Sequence, residues 1–459
     1  MEKEAPKHYF MVGIGGIGMQ ALADVLLGMG HKITGSDIQD FPSRTRLEQK
    51  GAKVIIGPQV ADNVPADIDG LIYTSAILHH QEAHPEVERA RERNVSIWKR
   101  SEFIGELMKE KYSIAVSGTH GKTTTSTLLT LMLQAGGLDP TALIGAEVKS
   151  LAGAGILGQG EAMVVEASEY DSAFLDMNFN VAVLTNIDDD HLDYFKDIEE
   201  IKQAFTKFLN KLPADGYAVV CGDDSNTQAI LPNVKPQVIT FGFAESNDLV
   251  ARNISYQDMK MHFEVDGFTT FMNFPGKHLI IDALAAIVVA KKLGVADSAI
   301  KQVLEKDFKG ADRRFEILGT FKGITFIDDY GHHPAEIKAF LSAAKDYFPE
   351  RRLLVVFQSH QYSRTRLLLS SFAKSFVDAD KVFVAPILAV RDSEEDKKSI
   401  DNFILSDRIN QVSANSKAYP DFASITLEIG DIVKDGDVII SLGAGKNSDW
   451  IREFIHKFQ

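Results

Sequence analysis

Two glycine-rich stretches carry residue types suited to holding phosphate. In Gly13-Ile14-Gly15-Gly16-Ile17-Gly18-Met19, the residues Gly13, Gly15 and Gly18 form G-x-G-x-x-G between a strand-like run and a helical one. Glycine permits a tight turn and close backbone approach, and the helix N-terminus then offers N–H groups to a diphosphate. Asp37 closes the next strand-like run, 19 residues after Gly18, where a carboxylate can take a ribose hydroxyl or a base edge. Alone, this pattern serves NAD, FAD or another diphosphate nucleotide. The second stretch, Ser117-Gly118-Thr119-His120-Gly121-Lys122-Thr123-Thr124-Thr125, also joins a strand to a helix. There, backbone N–H groups would cradle a triphosphate, Lys122 would reach the β- and γ-phosphates, and the Thr123 hydroxyl would ligate Mg²⁺. Val116 stands where the strict loop has glycine, so this is a shortened variant. Lysine at a helix start opposes the macrodipole, which calls for a bound anion. A dehydrogenase has no use for Lys122-Thr123, and a simple ATPase has none for the first loop. An enzyme that activates a nucleotide-linked substrate with ATP uses both.

Carboxylates follow two apolar strand-like runs. Met163-Val164-Val165 leads into Glu166, and Val181 to Thr185 leads into Asn186-Ile187-Asp188-Asp189-Asp190-His191-Leu192-Asp193. Ligands collect at the carboxyl ends of parallel strands, so Glu166, Asp190, His191 and Thr123 are expected around the triphosphate. Thr123, Glu166 and His191 are the candidate Mg²⁺ ligands, the oxygens suiting the ion better than the imidazole. Asp188, Asp189 and Asp193 read equally well as a solvated loop.

The elements that must position these residues are strands alternating with helices. Runs begin at His8-Tyr9-Phe10-Met11-Val12, at Tyr112-Ser113-Ile114-Ala115-Val116, and at Ile324-Thr325-Phe326-Ile327 with Leu353-Leu354-Val355-Val356-Phe357. Such alternation predicts mostly parallel sheets covered by helices. Near the middle, Met259, Met261, Phe263 and Val265 alternate with polar residues and Asp266-Gly267 turns the chain, which predicts an antiparallel hairpin with one wet face. Joints are expected near Lys109-Lys111 and Gly310-Arg314. The 459 residues suggest two or three domains, and 45% hydrophobic with 25% charged residues is an ordinary globular mix. The longest purely apolar run, Ala283 to Ala290, falls far short of a membrane span. The acidic Met1-Glu2-Lys3-Glu4 does not resemble a signal peptide. A net charge of -15 argues against a nucleic-acid or anionic-membrane surface. The single cysteine, Cys221, excludes an internal disulfide and a multi-cysteine metal site and fits a reducing cytoplasm.

With these residues in view, the chain resembles the Mur ligases, the ATP-dependent amino-acid ligases of peptidoglycan synthesis, nearly end to end. The carriers are both glycine loops, Gly35-Ser36-Asp37, Ser75-Ala76-Ile77, Thr185-Asn186-Ile187 with Asp190-His191-Leu192-Asp193, and Pro275-Gly276-Lys277-His278. Further carriers are Arg313-Arg314-Phe315, Asp328-Asp329-Tyr330-Gly331-His332-His333-Pro334, Tyr362-Ser363-Arg364-Thr365-Arg366 and Gly443-Ala444-Gly445. The resemblance implies three α/β domains. Residues 1–109 would form a Rossmann-like domain for UDP-N-acetylmuramate, through Gly13, Gly15, Gly16, Ile17, Gly18, Asp37, Ser75 and Arg100. Residues 110–313 would form a P-loop domain with a small antiparallel element. It would bind ATP through Gly118, Thr119, His120, Gly121, Lys122, Thr123, Thr124 and His278, with Asp329 on the ribose. Residues 314–459 would form a second Rossmann-like domain that closes over ATP and takes the amino acid through His360, Gln361 and Arg364.

The implied reaction joins L-alanine to the sugar-nucleotide carboxylate through an acyl phosphate. Lys122, Mg²⁺ and Arg314 would neutralise the phosphates, and His191 or the His332-His333 pair would take the amine proton. A cytoplasmic monomer or weak homodimer without nucleic acid or membrane insertion is expected. Some positions depart from the family. Ser168 replaces a carboxylate, and Tyr170-Asp171 is closer to the branch that recycles murein tripeptide. Leu279 and Asp282 replace two asparagines near the adenine. Gln361 replaces an arginine and cannot pair with a carboxylate as a charge. Phe205 stands where other branches carry a modified lysine. The tripeptide-ligase and non-catalytic sugar-nucleotide-binding readings are the alternatives.

Overall fold

Three runs of strand and helix make three sheets in the computed structural model, which describes residues 5–78, 83–151, 153–192, 194–310, 313–390 and 392–459. The first sheet is parallel, in the order Lys53–Ile56, Lys32–Asp37, His8–Val12, Gly70–Tyr73 and Ser96–Lys99. His8–Val12 lies at its centre and is buried throughout, which is why both faces of the strand are apolar. The strand order reverses between His8–Val12 and Gly70–Tyr73, where doubly wound sheets open a ligand crevice.

The second sheet has parallel strands in the order Gln237–Gly242, Tyr217–Cys221, Val181–Leu184, Tyr112–Ser117, Ala162–Glu166 and Thr141–Leu143, with Gly155–Ile156 antiparallel on the edge. Tyr112–Ser117 is flanked by Val181–Leu184 and Ala162–Glu166 in register. The loops carrying Lys122, Glu166 and Thr185 therefore leave the sheet at one edge. Strand Leu249–Gln257 pairs parallel at Phe241↔Leu249 and Gly242↔Val250, then antiparallel with Lys260–Val265, which pairs with Phe268–Met272. Met261, Phe263 and Val265 are buried, as their alternation predicts. Met259 is an exception. It sits with Asp258 in a turn at φ 58°, 61% exposed, because two left-handed residues are what a tight hairpin turn requires.

The third sheet runs Glu316–Phe321, Ile324–Asp329, Val438–Leu442, Leu353–Phe357, Lys381–Val384 and Ser416–Ala418, antiparallel only at the first pairing. Strand alternation divides its core. Ile327, Val355 and Phe357 pack with Phe340 and Leu341 on one face, while Phe326, Leu354 and Val356 pack with Trp450 and Ile451 on the other.

By internal contact the chain forms two compact units. The first comprises Met1–Ile187, Glu199–Val250 and Ile281–Lys309, and the second Asp188–Ile198, Ala251–Ile280 and Gly310–Gln459. The first two sheets thus share a unit, and the antiparallel hairpins belong to the second unit instead of a self-contained middle one. The joint expected near Lys109-Lys111 is the short link between helix Arg100–Met108 and strand Tyr112–Ser117, inside the first unit. Ala311 and Asp312 of the other joint, and Asp193, lie outside the described residues. No described helix is long and apolar enough to cross a membrane.

Candidate active site

In the first unit, the lysine loop folds around two left-handed glycines, Gly118 at φ 135° and Gly121 at φ 82°, the latter capping helix Lys122–Ala135. A Cβ on Gly118 would stand 2.0 Å from Thr185 Oγ1, and one on Gly121 would stand 2.1 Å from Asp282 Oδ1, so neither tolerates a side chain. Asn186 braces the loop: its Oδ1 accepts from the His120 amide at 2.9 Å and its Nδ2 donates to the His120 carbonyl at 3.1 Å. Thr119 and Thr124 are both buried. Lys122 Nζ donates to the Gly118 carbonyl, to the Thr119 carbonyl at 2.9 Å, and to both carboxylate oxygens of Glu169 at 3.0 and 3.2 Å. Thr123 Oγ1 donates to Glu166 Oε2 at 3.0 Å, and the Gly145 amide donates to the same oxygen at 2.8 Å. Thr123 and Glu166 are therefore brought together as expected, whereas His191 belongs to the second unit. Glu169, three residues past the strand that ends at Glu166, is a partner for Lys122 that residue types and spacing do not reveal.

The first glycine loop is largely satisfied from within. The Gly13 and Ile14 amides donate to the Ser36 carbonyl at 2.9 and 3.0 Å, and the Gly16 amide to the Gly13 carbonyl at 3.2 Å. The Gly15 amide donates to Asp37 Oδ2 at 2.8 Å, so Asp37 braces the loop instead of standing free for a ribose. Ile17 and Gly18 then open helix Ile17–Gly28. Arg100 Nη1 lies 2.5 Å from where a Cβ on Gly18 would stand. A guanidinium beside a helix N-terminus favours negative charge on two counts. Ser75 begins a short 3-10 turn after Gly70–Tyr73.

In the second unit, Arg364 is 7% exposed, and its Nε and Nη2 both donate to Asp190 Oδ1, at 3.1 and 2.7 Å. Its Nη1 lies 3.2 Å from His360 Nδ1. The expected free cation for an amino-acid carboxylate is thus already committed to a buried acid. Burial alone would raise the Asp190 carboxyl, but His191, Arg364, His332 and His333 outweigh it and hold it well below the usual carboxylate range. Gln361 is 3% exposed with left-handed backbone at φ 77°, and its Nε2 has no hydrogen-bond partner among the described residues. It lines a pocket with Asp190, His191, Ser363, Arg364 and Leu367.

The histidines separate by their bonds. His333 Nδ1 accepts from the Ala335 amide at 3.3 Å and Nε2 lies 2.8 Å from the Asp189 carbonyl, so both ring nitrogens are spent holding helix Pro334–Tyr347 and the Asp189 loop. His332 Nδ1 faces the Tyr330 carbonyl at 3.2 Å, which leaves Nε2 as an acceptor, and burial pushes its pKa down to about 4 against the pull of Glu336. His191 has φ 55° and Nε2 3.9 Å from Asp190 Oδ2. Arg314 pairs with Glu336 Oε1 at 3.4 Å and lies over the Tyr330 ring. Asp329 is buried, accepting from the Phe315 and Gly331 amides at 2.8 and 2.7 Å, so both oxygens are engaged in the turn that aims Arg314. His278 stands exposed on the first turn of helix Lys277–Lys292, while Leu279 and Asp282 point inward.

Known proteins resemble this chain along most of its length. Residues 8–112 match the model for the Mur ligase family, catalytic domain, residues 116–290 the Mur ligase middle domain, and residues 313–445 the Mur ligase, glutamate ligase domain. A UDP-N-acetylmuramate–L-alanine ligase of Clostridium kluyveri is 42% identical over 96% of both chains. The chain belongs to the Mur ligase family. Another UDP-N-acetylmuramate–L-alanine ligase, from Caldanaerobacter subterraneus, is 40% identical over 97% of this Mur ligase and 96% of its own length. Among solved structures, the UDP-N-acetylmuramate–alanine ligase of Thermotoga maritima superposes with a TM-score of 0.79 at 27% identity, covering 99% of each chain. A murein peptide ligase of Psychrobacter arcticus shares the fold, with a TM-score of 0.70 at 23% identity over 98% of each chain.

Proposed function

We propose that this Mur ligase joins L-alanine to the carboxylate of UDP-N-acetylmuramate, converting ATP to ADP and phosphate, in the cytoplasm. The observation that carries the reading is the phosphate loop in which Lys122 and the Thr123–Glu166 pair stand together, in a chain 40–42% identical to named L-alanine ligases. Sugar-nucleotide binding falls to residues 1–109, with the diphosphate at Ile17, Gly18 and Arg100. ATP falls to residues 110–313 and the amino acid to residues 314–459. The sugar carboxylate attacks the γ-phosphate, giving an acyl phosphate and ADP. Lys122 offsets the repulsion between carboxylate and triphosphate. The L-alanine amine then attacks the acyl carbon, and the tetrahedral intermediate expels phosphate. His332 Nε2, neutral at physiological pH, takes the amine proton. Gln361 Nε2 meets the L-alanine carboxylate, with the Arg364–Asp190 pair behind it.

A hydroxyl and a carboxylate, Thr123 and Glu166, form an all-oxygen donor set that fits Mg²⁺. Bound there, the ion would supply positive charge to the phosphates. The test is phosphate release with ATP, Mg²⁺ and UDP-N-acetylmuramate, with L-alanine or murein tripeptide as acceptor. Turnover that requires L-alanine supports the reading. Preference for the tripeptide, which Tyr170-Asp171 would favour, assigns the chain to peptide recycling, and absence of turnover makes it a binding protein.

A further inference from the structure

The turn that carries Arg100 holds a second cation that the reaction above does not use. Lys99 ends strand Ser96–Lys99 and caps helix Arg100–Met108, its amide donating to Glu102 Oε2 at 2.7 Å. Its Nζ lies 2.6 Å from Asp171 Oδ2 and 3.7 Å from Asp176 Oδ2, and donates to the Asp171 carbonyl at 3.5 Å. The Lys99 side chain is only 18% exposed, so water screens these contacts weakly.

The segment it grips is strained. Asp171 and Ser172 are both left-handed, at φ 56° and 51°, with no glycine to relieve the crowding. Non-glycine residues stay in that region only where their surroundings hold them. Lys99 supplies the hold, since one ammonium engages both the carboxylate and the carbonyl of Asp171. The same turn is closed by the Ser172 amide donating to the Glu169 carbonyl at 3.0 Å. Glu169, 2% exposed, accepts from Lys122 through both oxygens. A continuous path of bonds therefore runs from Lys99 through the strained turn to the lysine of the phosphate loop.

We propose that Lys99 is a positioning residue for ATP: by gripping Asp171 it sets the Glu169–Ser172 turn, so that Glu169 meets Lys122 and aims it along the loop. This rests on the assignment of ATP to that loop. The experiment compares wild type, Lys99→Met, Lys99→Arg, Asp171→Asn and the Lys99→Met/Asp171→Asn double variant. Readouts are calorimetric binding of ADP in Mg²⁺, calorimetric binding of UDP-N-acetylmuramate, and KM for ATP against kcat. Losing one charge-assisted bond predicts about a tenfold weaker ADP affinity and higher KM for ATP in Lys99→Met, with sugar-nucleotide affinity held within about twofold. Lys99→Arg should restore most of it. Asp171→Asn should weaken ADP in the same direction, and the double variant should be no worse than the poorer single one. Unchanged ADP binding in Lys99→Met, additive singles, or equal losses for both nucleotides would overturn the proposal while leaving the ATP assignment standing. Failure of the wild type itself to bind ADP overturns both.

Discussion

Gln361 keeps a buried amide donor without a partner among the described residues, a state that typically costs about 1–3 kcal/mol. A donor left so is explained if the amino-acid carboxylate completes it. Gln361→Leu removes the donor and keeps most of the volume. It should hold or raise stability in urea while raising KM for L-alanine about tenfold, and a variant that loses stability but keeps its KM would refute the role. Arg364 calls for the opposite expectation. Both its bonds to Asp190 are buried, and breaking such a pair from one side costs about 3–5 kcal/mol. Arg364→Ala should therefore unfold the second unit more readily at pH 7. The sign with pH follows from Asp190, whose folded carboxyl is held below its unfolded range. That stabilisation is present above the unfolded pKa of about 4 and is lost as pH falls through the folded value, so the gap between variant and wild type should shrink in acid.

At the scale of elements, helix Pro334–Tyr347 distinguishes two adjacent histidines that a sequence cannot rank. His333 caps the helix and ties down Asp189, so His333→Ala should cost about 1 kcal/mol of stability and leave kcat within a few-fold. His332→Ala removes the acceptor nitrogen and should lower kcat by about a hundredfold or more. His332 also has a stability signature. Its folded pKa of about 4 lies below the unfolded value, so the folded chain binds fewer protons between about pH 4 and 6.5. Stability should fall as pH drops through that window, and His332→Gln should flatten the fall. What the sequence revealed follows the same division. The strands His8–Val12 and Leu353–Phe357, the hairpin from Lys260, and the pairing of Thr123 with Glu166 were legible because apolar runs and glycine loops act locally. The commitment of Arg364 to Asp190, of Asp329 to two amides, and of Lys122 to Glu169 was not. The first and last join residues 174 and 47 positions apart, and the Asp329 bonds go to backbone amides, so none leaves a periodic trace in the sequence.

Taken as a whole molecule, the residues of the two glycine loops and those assigned to the amine fall in different compact units, while His278, Arg314 and Asp329, also assigned to ATP, lie with the latter. Gly18, Arg100, Lys122, Thr123 and Glu166 belong to the first; His332, Gln361 and Arg364 belong to the second. Binding and chemistry should therefore separate on mutation. The two glycine loops stand on different sheets with their own supports, Asp37 for one and Asn186 for the other. Lys122→Ala deletes the cation proposed to meet the phosphates and removes a lysine that both oxygens of buried Glu169 engage, yet touches nothing at Gly18 or Arg100. Ligation should be abolished while UDP-N-acetylmuramate binds with unchanged affinity by calorimetry. Gly118→Ala should lose ADP binding with the same separation, because its new Cβ would collide with Thr185. His332→Ala, by contrast, should retain both nucleotides and still release phosphate slowly from ATP and the sugar nucleotide, since forming the acyl phosphate needs no amine base. Loss of sugar-nucleotide binding in Lys122→Ala, or wild-type ligation by it, would mean that the lysine loop is not the triphosphate site and that the division of labour between the two loops is wrong.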